Sequence, residues 1–454
     1  MRALLTVVWA TMMIRASAHG ADDMRSQEIA AIRQEATDRG KGYELLTELT
    51  TSVGARLTGS EGGKKAEAWA KSKLEDYGFS NVTLQSVSVP YWVRGAVERG
   101  FIQSGNQPAL PVRVAALGGS VGTPAGGITA EVVEVTSLAA VDQLGSAVRG
   151  KIVFYNQVMD AKAPDRLSAY GEVSNIRSQG AARAAARGAV ASVIRSLTTL
   201  TDDDYPHTGV MGRAAIPGAA ISTRGANELS RQLKANPNLK FTLELSAQNK
   251  GTTTAFNVYA DIVGRERPQE FVVVGAHLDS WDLGVGAHDD GAGVVQAMEV
   301  LRSIKAAGLQ PKRSIRVILF ASEEWGGQGA RAYVSYARTQ GLKYVAAIES
   351  DLGGFAPVGL TTDAGAKVLA RLRGWSPWLA PLGAGKIEPG ESGVDVGQLQ
   401  ALGAETIGYL PDLSHYFDFH HAASDQLATV NKNDLQSGAA LMAALAWLYS
   451  EERP

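Results

Sequence analysis

The sequence of 454 residues contains no cysteine. Disulfide bonds and thiolate metal ligands are therefore excluded, and any bound metal ion must be held by His, Asp and Glu side chains. An excess of one charge is also missing, because 44 Lys and Arg residues face 46 Asp and Glu residues. The net charge of −2 comes with no basic stripe, which argues against nucleic acid or an anionic membrane as the main partner.

Long apolar runs are missing as well, apart from one at the amino terminus. Residues 3–14 form an apolar run of twelve, which follows Arg2 and precedes the small residues Ala16, Ser17 and Ala18. Because twelve residues are too few to cross a bilayer comfortably, we predict an export signal over residues 1–18. An uncleaved anchor is the alternative. With the signal removed, we expect a secreted or periplasmic protein without stable membrane association.

The length and the pattern of the chain predict one α/β domain with a large insertion. From residue 251 onward, strand and helix patterns alternate regularly, which is typical of a mixed, mostly parallel central sheet flanked by helices. Residues 105–250 have a different texture, with short strands and helices rich in glycine and alanine. We therefore predict a main domain made of residues 19–104 and 251–454, and a small inserted α/β domain at 105–250.

The most informative stretch is residues 271–293, with the sequence FVVVGAHLDSWDLGVGAHDDGAG. Residues 271–274 have the composition of a strand that is buried on both faces. This strand leads into His277 and Asp279, which point to the same side because a strand has a period of two. Asp289-Asp290 follow where a loop enters a helix. A helix cap or a turn would explain each acidic residue singly, but together with a histidine they indicate a metal site.

Further acidic residues follow two later strand patterns, at residues 314–321 and 344–349. Glu323 and Glu324 come directly after the first pattern, and Asp351 comes after the second. In open α/β sheets the functional site lies outside the carboxyl ends of the strands, so we expect these side chains to meet at one edge. The alternative for the adjacent glutamates is a helix amino terminus stabilised by acidic side chains.

Histidines are concentrated in two parts of the sequence. Five of the seven fall in residues 277–288 and 415–421. A two-metal hydrolytic site needs two cations roughly 3.5–4 Å apart, a bridging carboxylate, nitrogen or oxygen ligands and a nearby base. The supply fits such a site, with Glu323 left as the base. The candidate ligands are His277, Asp289, Glu324, Asp351 and His421.

Four motifs in this order resemble a known family. They are AHLDSWDLGVGAHDDGAG at 276–293, FASEEWGGQGA at 320–330, IESD at 348–351 and FHHAASD at 419–425. The chain is similar to the co-catalytic di-zinc exopeptidases, which include secreted aminopeptidases and glutamate carboxypeptidases. Residues 105–250 resemble the protease-associated domain that is inserted in many of these enzymes.

The resemblance implies two Zn²⁺ ions per chain. One would be held by His277, Asp289 and Asp351, and the other by Asp289, Glu324 and His421, so that Asp289 bridges the two ions. The peptide bond that joins Asp289 to its neighbour Asp290 is cis in relatives.

The resemblance also assigns roles to residues that bind no metal. Glu323 would be the general base and acid, and Asp279 would orient His277 from behind. His420 stands where many relatives have a tyrosine that stabilises the oxyanion.

The resemblance implies that the chain would be a secreted zinc metallo-exopeptidase of carboxypeptidase or dipeptidase type, and a homodimer. It would hydrolyse dipeptides or short peptides through a zinc-bound hydroxide, with a glutamate as general base. An exopeptidase also needs a group that binds a free terminus of the peptide, and Asp395 and His207 are the candidates. The alternatives are an aminopeptidase that acts on longer peptides and a catalytically inactive binding module with a peptidase fold.

Overall fold

The computed structural model describes residues 23–105 and 107–452, which form eleven α-helices and sixteen strands. The predicted export signal lies outside these residues. None of the described helices combines the length and the apolar character that crossing a bilayer requires.

The helices and strands alternate along most of the chain. The helices are α1 (23–37), α2 (Gly42–Glu48), α3 (Glu61–Asp76), α4 (Leu138–Leu144), α5 (Arg166–Ala185), α6 (Thr223–Ala235), α7 (Ala292–Ala306), α8 (Gln328–Gln340), α9 (Ala366–Gly374), α10 (Ser376–Leu379) and α11 (Lys432–Glu451). The strands are β1 (Ser80–Val93), β2 (Glu98–Gln103), β3 (Leu110–Val112), β4 (Val114–Ala116), β5 (Ile128–Val135), β6 (Ile152–Tyr155), β7 (Ala191–Arg195), β8 (Gly218–Ile221), β9 (Lys240–Leu245), β10 (Gln248–Ile262), β11 (Arg267–His277), β12 (Arg313–Phe320), β13 (Lys343–Glu349), β14 (Pro357–Thr362), β15 (Lys386–Pro389) and β16 (Glu405–Pro411).

The main sheet has eight strands in the order β1-β10-β12-β11-β13-β16-β14-β15. Its four central strands, β12, β11, β13 and β16, are parallel to one another. Strands β1, β10 and β14 pair antiparallel, so the sheet is mixed towards its edges. The prediction of a mixed sheet with a mostly parallel centre is therefore confirmed.

Strand β11 lies between two layers of helices, as its continuous apolar run predicts. Val272 and Val274 point to one face and pack, fully buried, in the same cluster as the apolar side chains of α7 and α11. Val273 points to the other face and packs in a separate cluster with Tyr333 of α8. Burial of each valine contributes roughly 1.5–3 kcal/mol to stability. Helices on both faces thus leave only the ends of the central strands open to a substrate.

A second sheet is formed by residues 98–245, in the order β3-β2-β9-β5-β6-β7-β8-β4. The chain leaves and re-enters the main sheet side by side, because Trp92 of β1 pairs with Asn249 of β10. The second sheet begins at Glu98, earlier than residue 105, where the glycine-rich texture of the sequence begins. We call residues 94–247, which contain this sheet, the second unit.

Candidate active site

Three neighbouring parallel strands end at one edge of the main sheet and bring the predicted residues together. Strand β11 ends at His277, β12 is followed by Glu323 and Glu324, and β13 is followed by Asp351. Asp289 lies in the loop before α7, next to the same edge, and its peptide bond to the following aspartate is cis. The convergence expected at the carboxyl ends of the strands is therefore present.

The two oxygens of Asp289 face two different histidines. Oδ1 lies 3.2 Å from Nε2 of His277, and this nitrogen is also 3.1 Å from Oδ1 of Asp351. Oδ2 of Asp289 lies 3.3 Å from Nε2 of His421, which is also 3.2 Å from Oε2 of Glu324. All five candidate ligands thus form two sets of donor atoms that share one carboxylate.

These distances fit the ligands of a metal ion. Two ligands of a tetrahedral zinc ion, each about 2.0–2.2 Å from the metal, lie roughly 3.3–3.6 Å apart. The second oxygen of Glu324, Oε1, is buried without a hydrogen-bond partner among the described residues, which is consistent with a site for a cation. Donor atoms that could hold a metal also come from Asp290 and His420.

Asp290 and His420 are less suited to bind a metal ion than their neighbours. The carboxylate of Asp290 already accepts the backbone N–H of His277 and of Gly293, each at 3.0 Å. Nε2 of His420 lies 3.9 Å from Asp289 Oδ2, farther away than Nε2 of His421. The ring of His420 instead stacks on the ring of His421 with 3.6 Å between centroids.

The electrostatics of the site reflect many carboxylates in a buried space. Burial and the negative charges of Asp351 and Glu324 raise the pKa of Glu323 well above its usual range. Burial also raises the pKa of Glu324 to about 7. Burial alone would raise the pKa of Asp289 too, but hydrogen bonds from His277 and His421 hold it well below its usual range. Such perturbed groups in a cleft are typical of a functional site.

The carboxylate of Asp279 lies closer to the loop that carries Glu323 and Glu324 than to His277. The ring Nδ1 of His277 donates to the backbone carbonyl of Asp279 at 2.9 Å, while the Asp279 carboxylate is 3.8 Å away. That carboxylate accepts the backbone N–H groups of Ser322 and Glu323, and the hydroxyl of Thr58. The expected orientation of His277 thus comes from the Asp279 carbonyl, and the carboxylate orients the residue predicted to be the base.

Two buried residues that sequence reasoning missed hold the loop between His277 and Asp289. Arg56 is fully buried and donates to the carbonyls of Leu278, Val285 and Gly286. The carboxylate of Asp425 accepts the backbone N–H of Asp289 at 3.0 Å and that of the residue before it. Asp425 ends the FHHAASD motif, which was a signal for it, whereas nothing in the sequence distinguishes Arg56 from other arginines.

A cleft of about 800 Å³ opens onto the site and separates the second unit from the main sheet. Its floor includes Glu323, Asp351 and His420. One wall comes from α5 of the second unit, and the other comes from residues 388–394. The described residues that line it include eight carboxylates and a single Arg or Lys, Arg177 of α5.

The two residues predicted to bind a peptide terminus do not reach this cleft. Asp395 is fully buried, and its carboxylate has no hydrogen-bond partner among the described residues. His207 is 1% exposed, and its ring contacts the backbone of His420 rather than open space. Both are too deeply buried to bind a substrate directly, so the prediction for them is corrected.

The sequence pattern did not reveal Arg177, because a helical arginine usually faces solvent.

An α/β sheet with this set of histidines and carboxylates at the ends of its central strands defines the protein as a metal-dependent enzyme. Comparison with known proteins agrees. The model of peptidase family M28 matches residues 257–446. Carboxypeptidase Q of Mus musculus is 35% identical over 418 residues, which cover 91% of this chain and 86% of the relative. Carboxypeptidase Q of Homo sapiens is 34% identical over the same shares of both chains.

Solved structures lead to the same assignment. A peptidase M28 precursor from Shewanella amazonensis has a TM-score of 0.90 at 35% identity, and covers 95% of this chain and 98% of its own. A zinc aminopeptidase from Bacillus subtilis has a TM-score of 0.66 at 20% identity, covers 91% and 95%, and agrees in fold alone. This chain therefore belongs to peptidase family M28. The resemblance to carboxypeptidase Q that the motifs at 276–293 and 320–330 suggest for most of the chain is likewise confirmed.

Proposed function

We propose that this chain is a secreted exopeptidase that binds two zinc ions and hydrolyses dipeptides or short peptides. The carboxylate of Asp289 carries this proposal, because its two oxygens are divided between two sets of ligands. One set is completed by His277 and Asp351, and the other by Glu324 and His421. Bound zinc would lower the pKa of a water molecule to about 7, so that it becomes a nucleophile at neutral pH.

Glu323 is the general base in this proposal. It lines the cleft beside both ligand sets, and its carboxylate makes no hydrogen bond or ion pair with the described residues. It is therefore free to take a proton from the attacking water and to give it to the leaving amine. The backbone contact with Asp279 holds Glu323 in place, and His420, at the cleft surface, is the candidate donor to the oxyanion.

Arg177 favours a carboxypeptidase or dipeptidase over an aminopeptidase that acts on long peptides. A free carboxyl terminus needs a cation, and Arg177 is the one Arg or Lys among the described residues that line the cleft. Its Nη1 contacts the carbonyl of Thr208, the hydroxyl of Tyr170 and, at 3.3 Å, Nδ1 of His421. Nε is buried and has no partner among the described residues. Exposed Glu388 and Glu391 on the opposite wall suit a free ammonium group. A dipeptide could therefore bind Arg177 with its carboxylate and these glutamates with its ammonium group.

We also infer that the second unit is a protease-associated domain inserted in the peptidase, and that it forms one wall of the cleft. Export, with loss of residues 1–18, is part of the same proposal and would be tested by amino-terminal sequencing of the exported protein. A homodimer is proposed on family resemblance alone, and sedimentation of the exported protein would test it.

Hydrolysis rates on four substrates test the proposed activity. A free dipeptide should be cleaved quickly. If the enzyme is a carboxypeptidase, it should also cleave the amino-terminally acetylated dipeptide. The dipeptide amide and a tetrapeptide should be poor substrates. Preference for the tetrapeptide and no cleavage of the acetylated dipeptide would instead indicate an aminopeptidase. Less than one equivalent of zinc per chain, together with no hydrolysis, would indicate an inactive binding module.

A further inference from the structure

A loop of the second unit binds the backbone of the two adjacent histidines in the candidate active site. The backbone N–H of Thr208 donates to the carbonyl of His421 at 3.0 Å. The ring Nδ1 of His207 donates to the carbonyl of His420 at 2.8 Å. Since a carbonyl only accepts hydrogen bonds, this Nδ1 carries the hydrogen. Two consecutive residues of the loop thus hold two consecutive carbonyls of the peptidase segment.

His421 needs such support more than the other candidate ligands do. It has a φ of +61°, in the left-handed region that residues with a side chain rarely adopt. It also lies ten residues after the end of β16, in a segment with no ladder of strand hydrogen bonds. His277, in contrast, ends a central strand. The direction of the His421 ring therefore depends on contacts that come from outside the main sheet.

Hydrogen bonds connect His207 to the core of the second unit. The backbone N–H of His207 donates to the hydroxyl of Ser196 at 2.9 Å, and this hydroxyl donates to the carbonyl of Ile221 in β8 at 2.8 Å. On the far side of the ring, Nε2 of His207 lies 3.4 Å from Oδ2 of Asp203. His207 and Ser196 are each 1% exposed. The ring is thus held at both of its nitrogens, and its Nδ1–H points to the carbonyl of His420.

We propose that His207 is a positioning residue for His421, and that the second unit is in this way an integral part of one metal site. His207 holds the peptide between the two histidines, so that Nε2 of His421 faces Asp289 and Glu324. This inference depends on the proposed zinc set of Asp289, Glu324 and His421. It predicts a selective effect, because in the described part of the chain His277 and Asp351 make no hydrogen bond or ion pair with His207 or Thr208.

Two substitutions of His207 that differ in the position of one donor test this role. In His207→Asn, the amide N–H takes the place of Nδ1 and can reach the carbonyl of His420. In His207→Gln, the amide extends toward the place of Nε2, and the carbonyl loses its donor. We expect the Asn variant to retain two zinc ions. We expect the Gln variant to keep one zinc tightly and to hold the second roughly 10–100-fold more weakly, as is typical when the support of a ligand is removed.

Zinc content after equilibration in zinc buffers of graded free concentration is the readout, with enzymes purified as full-length exported chains. Excess zinc should restore kcat of the Gln variant without a change in KM, because only occupancy is lost. His415→Gln is the matched control. His415 is exposed and lies in the same segment, and its ring is bonded, among the described residues, to Asp418 alone. Its replacement should therefore leave both zinc affinities unchanged.

The outcomes separate this role from the proposed function. Fewer than two zinc ions in the unmodified protein would refute the two-zinc site itself. Two zinc ions of unchanged affinity in the folded Gln variant would refute only the positioning role, as would equal losses in the Asn and Gln variants. If the Gln variant is not exported, the zinc content of the Asn variant decides whether His207 positions His421. A folded Asn variant that has lost its second zinc ion would overturn the inference.

Discussion

Replacement of Glu323 by glutamine, compared with the same change at Glu324, separates the roles of two adjacent side chains. Glu324 Oε2 lies 3.2 Å from Nε2 of His421, within the candidate ligand set. The Glu323 carboxylate makes no ion pair with either histidine in the described part of the chain, and it lines the cleft. Glutamine has the same shape in both cases but takes up no proton. The two variants should therefore fail in different ways.

We expect Glu323→Gln to keep both zinc ions and to lose kcat. Removal of a general base typically costs about 10²–10⁴-fold in rate. At about 1.36 kcal/mol per factor of ten, this corresponds to an increase of roughly 2.7–5.4 kcal/mol in the activation free energy. The loss should lie in kcat rather than in KM, because Glu323 acts on the attacking water and not on the bound peptide.

Glu324→Gln should instead lose one zinc ion, and excess zinc should restore part of its activity. Metal analysis and steady-state kinetics on one dipeptide, done on the same preparations, distinguish the two outcomes. A Glu323→Gln enzyme with kcat within tenfold of the unmodified protein would refute the assigned base. A Glu323→Gln enzyme that has lost a zinc ion would show that Glu323 is a ligand and that the division between the two glutamates is wrong.

Three further predictions concern the cleft, the core and the metal. Arg177→Met should lower kcat/KM about 10–100-fold more for a free dipeptide than for its amide, since hydrogen bonds to charged groups contribute about 1.5–3 kcal/mol; equal losses on both substrates would contradict carboxylate binding. Arg316→Met should lower the free energy of unfolding in guanidinium by about 3–5 kcal/mol, because it strands the buried Asp261, which Arg316 now binds at 2.6 and 2.7 Å. Removing both partners with Arg316→Met/Asp261→Leu should cost less than the single change, and a larger loss would be contrary evidence. Zinc at 100 times its Kd should stabilise the chelator-treated protein by about 2.7 kcal/mol, measured as a higher midpoint of thermal unfolding, and an unchanged midpoint would exclude binding to the folded state alone.

The central part of the fold follows from local sequence patterns. A buried strand such as β11 needs apolar side chains on both faces, and this need leaves a continuous run at residues 271–274. The carboxyl ends of parallel strands lie at the same edge of a sheet, independently of the conformation of the loops that follow them. The sequence alone therefore predicts that His277, Glu324 and Asp351 lie close together, as they do.

Other parts depend on partners that are distant along the chain and leave little trace in the sequence. Strands β14 and β15 were not predicted, because their short segments lack a clear alternation and pair with each other and with β16 only at the sheet edge. The burial of His207 and Asp395 was equally hidden. A polar residue in a loop is normally exposed, and only tertiary packing decides otherwise.

The five candidate ligands differ in how the fold supports them, and this difference has a consequence for the order of metal binding. Asp351 and His277 lie on or directly after strands whose hydrogen bonds are made within the main sheet. His421 lies on an irregular segment whose carbonyl is held by the second unit. A ligand that is held by an independent unit is lost when that unit moves, whereas a ligand at a strand end is lost only when the sheet opens. If the chain holds the two proposed zinc ions, the site of His277 and Asp351 should therefore fill first when zinc is titrated into the chelator-treated protein, and equal affinities of the two sites would contradict this order.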